Sequence, residues 1–254
     1  MKLFFKKNGE GKPLIILHGL FGMGDNWASL STIFSEKGFC CYLVDQRNHG
    51  KSPHSEDFTY ETMAEDLLEL MIDEKISKAD IIGHSMGGKT AMFFALKHPD
   101  RISKMIVADM SPRYYAPHHD AIFSALKSMD TSGLFSRKEA EEQLRIALND
   151  ESTIQFLLKN LYWKDDKHLD WRFGFLEIEK NIDEIGKALP TGAVINVPVL
   201  FLRGERSGYI NEKDRIEIKR IFPLAEIKTV PAAGHWIHAE NPKIFMELVM
   251  EYLL

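Results

Sequence analysis

The stretch Gly83-His84-Ser85-Met86-Gly87 places one serine between glycines two residues away on either side. Ala79-Asp80-Ile81-Ile82 before it reads as a buried strand. Gly88 to Lys97 after it reads as a helix, stopped at His98-Pro99. A strand that turns sharply into a helix at a serine strains the backbone there and lifts the hydroxyl clear of the sheet edge. The flanking glycines let neighbouring backbone approach without a clash. The helix N-terminus beneath Ser85 favours negative charge developing beside it. This arrangement suits nucleophilic attack on an acyl carbon, provided that a base removes the serine proton.

Histidine is the usual base, because its ordinary pKa lies near working pH. Of ten histidines, His235 is the best placed. It lies in Ala233-Gly234-His235-Trp236, between the last predicted strand and the last helix, where loops at the edge of a parallel sheet meet ligands. It also comes after the serine and the acid, the chain order such a triad requires. His238, one turn further on, is second. The acid must fix the imidazole tautomer and stabilise the imidazolium. The loop beyond Arg203 reads Gly204-Glu205-Arg206-Ser207-Gly208-Tyr209, and Ser207 can supply no charge. Val107-Ala108-Asp109 ends the strand after the serine, which should lie next in the sheet. Asp109 is therefore assigned as the acid, with Glu205 the alternative; Asp109 could otherwise cap the turn at Ser111-Pro112.

Charge developing on the acyl oxygen needs backbone donors, each worth about 3 kcal/mol in the transition state. Met86, directly after the nucleophile, should supply one. The His18-Gly19 loop should supply the other, from Leu20 or else Phe21. Phe21, His84 and Trp236 are expected to line the substrate pocket. Arg172, between Trp171 and Phe173, either puts a cation at the pocket mouth or packs between two rings on the surface. Asp45 and Arg47 are expected to tie their own loop together. His118-His119-Asp120, and Asp165-Asp166 with His168, contain metal-ligand types without a recognised ligand spacing. No metal and no cofactor are expected.

The elements that must position these residues follow from the apolar pattern. Leu14 to Leu17 is a continuous apolar run, as expected of a central parallel strand covered on both faces. A helix is predicted over 25–37, with Trp27, Leu30 and Phe34 at helical spacing and Gly38 as its stop. Further strands are expected at 3–6, 39–44, 104–108, 196–203 and 226–230. Further helices are expected from 59, capped by Thr59, over 212–221, and from Pro242 with Asn241 as its cap. Strands alternating with helices indicate an α/β fold with a doubly wound, mostly parallel twisted sheet flanked by helices. The alternation breaks between Arg113 and Gly192. That block shows helical patterns, including a Ser136-to-Glu139 capping box, and many aromatics: Phe123, Phe135, Phe156, Tyr162, Trp163, Trp171, Phe173 and Phe175. It is read as a helical cap, 113–192, inserted into a core made of 1–112 and 193–254.

The chain has 254 residues, 44% hydrophobic and 27% charged, with a net charge of -5. Without a basic stripe, nucleic acid is not an expected partner. No apolar run reaches the roughly 18 residues of a membrane span, and the N-terminal apolar residues are too few for a signal-peptide core. The two cysteines, Cys40 and Cys41, sit together in an apolar run and read as strand filler in a reducing compartment. A cytoplasmic protein acting on a small ester or thioester is the expectation; the oligomeric state is not readable.

The chain resembles the α/β-hydrolase superfamily along its whole length, and within it the YbfF-type esterases and their mitochondrial relatives. The resemblance is carried by His18-Gly19-Leu20-Phe21-Gly22, Asp45-Gln46-Arg47-Asn48-His49-Gly50, Gly83 through Met92, and Gly234-His235-Trp236-Ile237-His238-Ala239-Glu240. It implies hydrolysis of carboxylesters or acyl thioesters beneath a small helical cap. It also supports the early acid at Asp109, because the later position in that group likewise tends to lack aspartate. The cap is the least alike region. An acyl-CoA thioesterase, a C–C hydrolase or a perhydrolase would use the same triad, and a ligand receptor could retain it.

Overall fold

The computed structural model describes residues 1–117, 119–129, 136–166 and 168–254. His118 and Phe135 therefore lie outside the described residues. The first half of the chain lays down β1 (Phe5–Asn8), β2 (Lys12–Leu17), α1 (Ala28–Glu36), β3 (Phe39–Val44), α2 (Tyr60–Asp73), β4 (Ala79–His84), α3 (Met86–Lys97) and β5 (Ile102–Ala108). After a long interval, β8 (Val199–Gly204), α9 (Glu212–Ile221), β9 (Ala225–Val230), α10 (Ile237–Glu240) and α11 (Pro242–Leu253) complete the core. Between them lie α4 (Asp120–Ser128), α5 (Arg137–Ala147), α6 (Glu151–Leu158), β6 (Leu161–Trp163), β7 (Leu169–Trp171), α7 (Phe175–Lys180) and α8 (Ile182–Ile185).

Seven strands form one sheet in the order β1-β3-β2-β4-β5-β8-β9. All neighbours are parallel except β1 against β3. The central strands bury both faces, so alternate residues enter two separate cores. Ile15, Leu17, Ile81 and Val107 face α2, α3 and the inserted block. Leu14, Ile16, Ile82 and Ile106 face α1 and α11 through Leu30, Phe34, Phe245 and Val249. From β2 the chain steps out to β3 and then returns to the other side of β2 as β4. A crevice opens at such a reversal, outside the carboxyl ends of the strands. The loops after β2, β4, β5 and β9 all reach it.

Several elements differ from the sequence-based expectation. The segment predicted as one helix over 25–37 begins as a 3-10 turn, Gly24–Trp27, before α1 starts. Pro198 has no N–H for a ladder bond, and the strand predicted from 196 opens only at Val199. Among its described residues the inserted block adds no strand to the large sheet, but it does contain an antiparallel pair, β6 with β7, in which Leu161 faces Trp171. Three residues per strand are too few for an alternating pattern to show in sequence. The apolar spacing of the last helix predicts a core face of Ile244, Phe245, Leu248, Val249 and Tyr252. On α11, Met246 and Leu253 join Phe245 and Val249 in the buried set, while Ile244, Leu248 and Tyr252 are only partly buried at its margin.

Candidate active site

Ser85 sits between β4 and α3 at φ 52° and ψ -117°. A non-glycine residue at positive φ is uncommon, and one here persists only because the surroundings hold it. Its N–H donates to the Ala108 carbonyl at 3.0 Å, and its carbonyl accepts from Lys89 N–H at 3.1 Å. A Cβ on Gly83 would come within 2.3 Å of the Gly87 carbonyl oxygen, and one on Gly87 within 2.4 Å of that of Leu17. The elbow can close this tightly only with glycine at both places.

A single line of hydrogen bonds runs through the crevice. His235 Nε2 lies 3.0 Å from Ser85 Oγ, and His235 Nδ1 lies 2.8 Å from Asp109 Oδ2. Because a carboxylate only accepts, Nδ1 carries the proton and Nε2 turns its lone pair to the serine hydroxyl. Asp109 is fully buried, whereas the imidazole is 26% exposed. Asp109 also stands at positive φ, 50°. Its Oδ1 accepts from Gly204 N–H at 2.9 Å, and its Oδ2 accepts from the Ser207 hydroxyl. Ser207, which supplies no charge of its own, thus donates to the carboxylate that does. Glu205 is turned away, exposed, and accepts from Ala232 N–H at 2.8 Å.

Two rings brace the imidazole. Tyr209 stacks on His235 with centroids 3.9 Å apart and planes 16° apart. Burial pushes its phenol pKa up to about 12, so the stacking ring stays neutral. His84 Nε2–H donates to the His235 carbonyl at 2.9 Å. Burial, then the neighbouring His238 and His235, holds the His84 pKa well below 6.5. The ring is a neutral strut between the elbow and the base loop. His238 stacks on Trp27, with centroids 4.2 Å apart, and it is the His235 ring, not that of His238, that reaches Ser85 Oγ.

The loop after β2 approaches from the other side. A Cβ on Gly19 would lie 3.2 Å from Ser85 Cβ. Phe21, at φ 58°, donates its N–H to His49 Nε2 at 3.1 Å. That amide is spent, so of the two residues proposed for this loop only Leu20 keeps a donor for a ligand. Met86 is the first residue of α3, whose opening amides have no intrahelical acceptor. The loop after β3 holds this side in place. Gln46 N–H donates to His18 Nε2 at 3.0 Å, and its side-chain amide donates to the His18 carbonyl at 2.7 Å. Asp45 accepts from Gly24 and Lys51 N–H, while Arg47 grips Asp66 at 2.6 and 2.8 Å. Burial holds the pKa of His18 below 6.5 and that of His49 well below it. From the inserted block, Asn160 donates to the Phe21 carbonyl at 2.8 Å.

A cavity of about 600 Å³ opens onto Ser85 between the core and the inserted block. Leu20, Phe21, His84, Met86, His235 and Trp236 form its floor and one wall; Tyr115, Ile122, Phe156, Ile182 and Ile185 roof it. Arg172 is not part of this lining. Its guanidinium lies 4.6 Å from the centroid of the Tyr162 ring on the adjacent strand β6, and Trp171 stacks on Phe173 rather than on the arginine. Among the described residues no group of three or more His, Cys, Asp or Glu could hold a metal ion. The His168 imidazole pairs with Asp165 at 2.9 Å. Sequence reasoning missed four supports: Tyr209, Gln46, His49 and Asn160. The Arg47-Asn48-His49-Gly50 motif pointed to the loop that carries two of them.

Residues 12–140 match the family model described as the alpha/beta hydrolase fold. The chain belongs to the α/β-hydrolase family, and within it to the esterase and lipase type. It is 35% identical to esterase YbfF of Escherichia coli (strain K12), over 96% of this chain and 94% of that one. It is 38% identical to the sn-1-specific diacylglycerol lipase ABHD11 of Danio rerio, over 98% of this chain and 80% of that one. Among solved structures, a marine microorganism esterase superposes with a TM-score of 0.96 at 48% identity, covering 99% of each chain.

Proposed function

We propose that this protein hydrolyses carboxylic esters of short to medium apolar acyl groups through an acyl-enzyme on Ser85. The observation that carries the reading is the unbroken line Ser85 Oγ, His235 Nε2, His235 Nδ1, Asp109 Oδ2, with both links at 3.0 Å or less. As Ser85 Oγ attacks the acyl carbon, its proton passes to His235 Nε2, and Asp109 stabilises the imidazolium. The Leu20 and Met86 amides receive the oxyanion. His235 then gives the proton to the departing alcohol. Water, deprotonated by the same imidazole, attacks the acyl carbon; the imidazolium then returns that proton to Ser85 Oγ as the carboxylic acid departs. The apolar roof over the cavity supports an apolar acyl chain. The residues 113–192 act as the cap, and the substrate range is set there. Because one relative is named a diacylglycerol lipase, glycerolipid esters are worth including as substrates. Buried free thiols at Cys40 and Cys41 fit a reducing compartment, and a cytoplasmic location is proposed with them. No described helix is long and apolar enough to cross a membrane.

The test is a series of p-nitrophenyl esters from acetate to dodecanoate. Rates should peak at short to medium length and fall by about 10⁶-fold in Ser85→Ala. Wild-type and Ser85→Ala rates that are equal at every length would remove the proposal.

A further inference from the structure

Lys89 is buried without a charge partner, and the proposed mechanism does not use it. Its side chain is 0% exposed, and among the described residues no carboxylate lies within ion-pair distance of it. Its three ammonium donors instead meet three backbone carbonyls: Pro112 at 3.2 Å, Arg113 at 2.6 Å and Lys187 at 2.5 Å. These carbonyls belong to the two segments that join the cap to the core. One leaves β5 and carries Tyr115, Ala116 and Pro117 into the pocket roof; the other returns through Ile182, Ile185 and Gly186. The segments are also zipped together, Tyr115 N–H to the Gly186 carbonyl at 2.8 Å and Leu189 N–H to the Pro112 carbonyl at 2.9 Å. Below them, Lys89 is one helical turn from Ser85 and bonded to it through the backbone.

We propose that Lys89 is a positioning residue that fixes the height and register of the cap above the nucleophile, and so sets which acyl groups the pocket accepts. An ammonium has three donors and no acceptor, so three converging carbonyls match it one for one. No neutral side chain of similar length offers three donors on one atom. Burying a cation away from any carboxylate is costly. Burial, with Arg113 adding a smaller push, brings the Lys89 pKa down to about 7. The other polar faces around it are the Tyr115 ring, 5.4 Å away, and Lys187, whose own ammonium is held by Glu61 and Glu184. A costly cation kept where two cap connections meet is explained by the alignment it enforces. Tyr60 adds one further pin, donating to the Ile185 carbonyl at 2.7 Å.

The kinetic arm of the test rests on the esterase reading; the exchange arm does not. Lys89→Met keeps the stem and removes the donors. It should raise KM for p-nitrophenyl octanoate about tenfold while leaving kcat and KM for p-nitrophenyl acetate within about twofold. Hydrogen exchange at the Tyr115 and Leu189 amides should quicken at least about tenfold, with β4 and β5 unchanged. Lys89→Gln, with two donors on a shorter stem, should fall between, and it serves in place of Lys89→Met if that variant does not fold. Unchanged exchange at both amides overturns the proposal, as does an equal loss on both esters. If wild type cleaves neither ester, the esterase reading fails and the exchange result alone decides the anchor.

Discussion

The two sides of the catalytic crevice are held by opposite kinds of chemistry. On the acid side, every neighbour donates: Gly204 N–H, the Ser207 hydroxyl and His235 Nδ1–H all point at the Asp109 carboxylate. On the oxyanion side the buried imidazoles of His49 and His18 accept, taking up the Phe21 and Gln46 amides. The first arrangement gives a fully buried carboxylate three hydrogen-bond donors. The second ties up the Phe21 and Gln46 amides beside the residues proposed to hold the oxyanion, Leu20 and Met86. One side surrounds a carboxylate with donors; the other is the side on which the proposed mechanism gathers the developing charge.

The contrast can be broken at its strongest point with Asp109→Asn. The amide removes the charge while keeping the shape, and kcat should fall about 10⁴-fold. A loss under tenfold, with Glu205→Gln instead abolishing activity, would move the acid to Glu205. On the other side, His49→Leu takes away the acceptor of the Phe21 amide. The loop should lose its register and kcat should fall about 100-fold with KM little changed, comparable to the loss of one oxyanion donor. A wild-type kcat in that variant would detach His49 from the oxyanion loop. Ser207→Ala removes one of three donors to Asp109 and should cost about tenfold in kcat; an unchanged rate would make the Ser207 hydroxyl dispensable.

The smallest effect is on stability. His18, His49 and His84 are buried, and burial holds their folded pKa values below the ordinary 6.5. Below about pH 6.5 the unfolded chain gains protons on these rings that the folded chain does not, so stability falls as pH falls. Tm should therefore drop between pH 7 and pH 5, and it should drop less steeply in His49→Leu. Equal slopes for the two proteins would contradict the assignment of a neutral, buried His49.

The central strands and the elbow were legible because their signals are local. Leu14 to Leu17 and Phe39 to Val44 are buried on both faces and so read as unbroken apolar runs. Ser85, Asp109 and His235 each end or follow a strand, and topology alone brings such ends together. The supports were hidden because each acts across the sheet order. Ser207 looked like a missing charge until Asp109 was seen to come within reach of its hydroxyl. Tyr209 stacks on a residue 26 positions later in the chain. Lys89 resembled any lysine on a helix, since nothing in its neighbours says that three carbonyls converge on it. Flanking by Trp171 and Phe173 left Arg172 open to two readings, a cation at the pocket mouth or a surface side chain packed between the two rings. Arg172 falls just past the end of β7, and its guanidinium lies over the Tyr162 ring of β6 instead.

The most direct test is active-site labelling with diethyl p-nitrophenyl phosphate, read by intact mass and peptide mapping. The account predicts one stoichiometric diethylphosphoryl adduct on Ser85, formed with loss of esterase activity and slowed severely in His235→Ala. Labelling at another residue, or full esterase activity in protein fully labelled at Ser85, would contradict it.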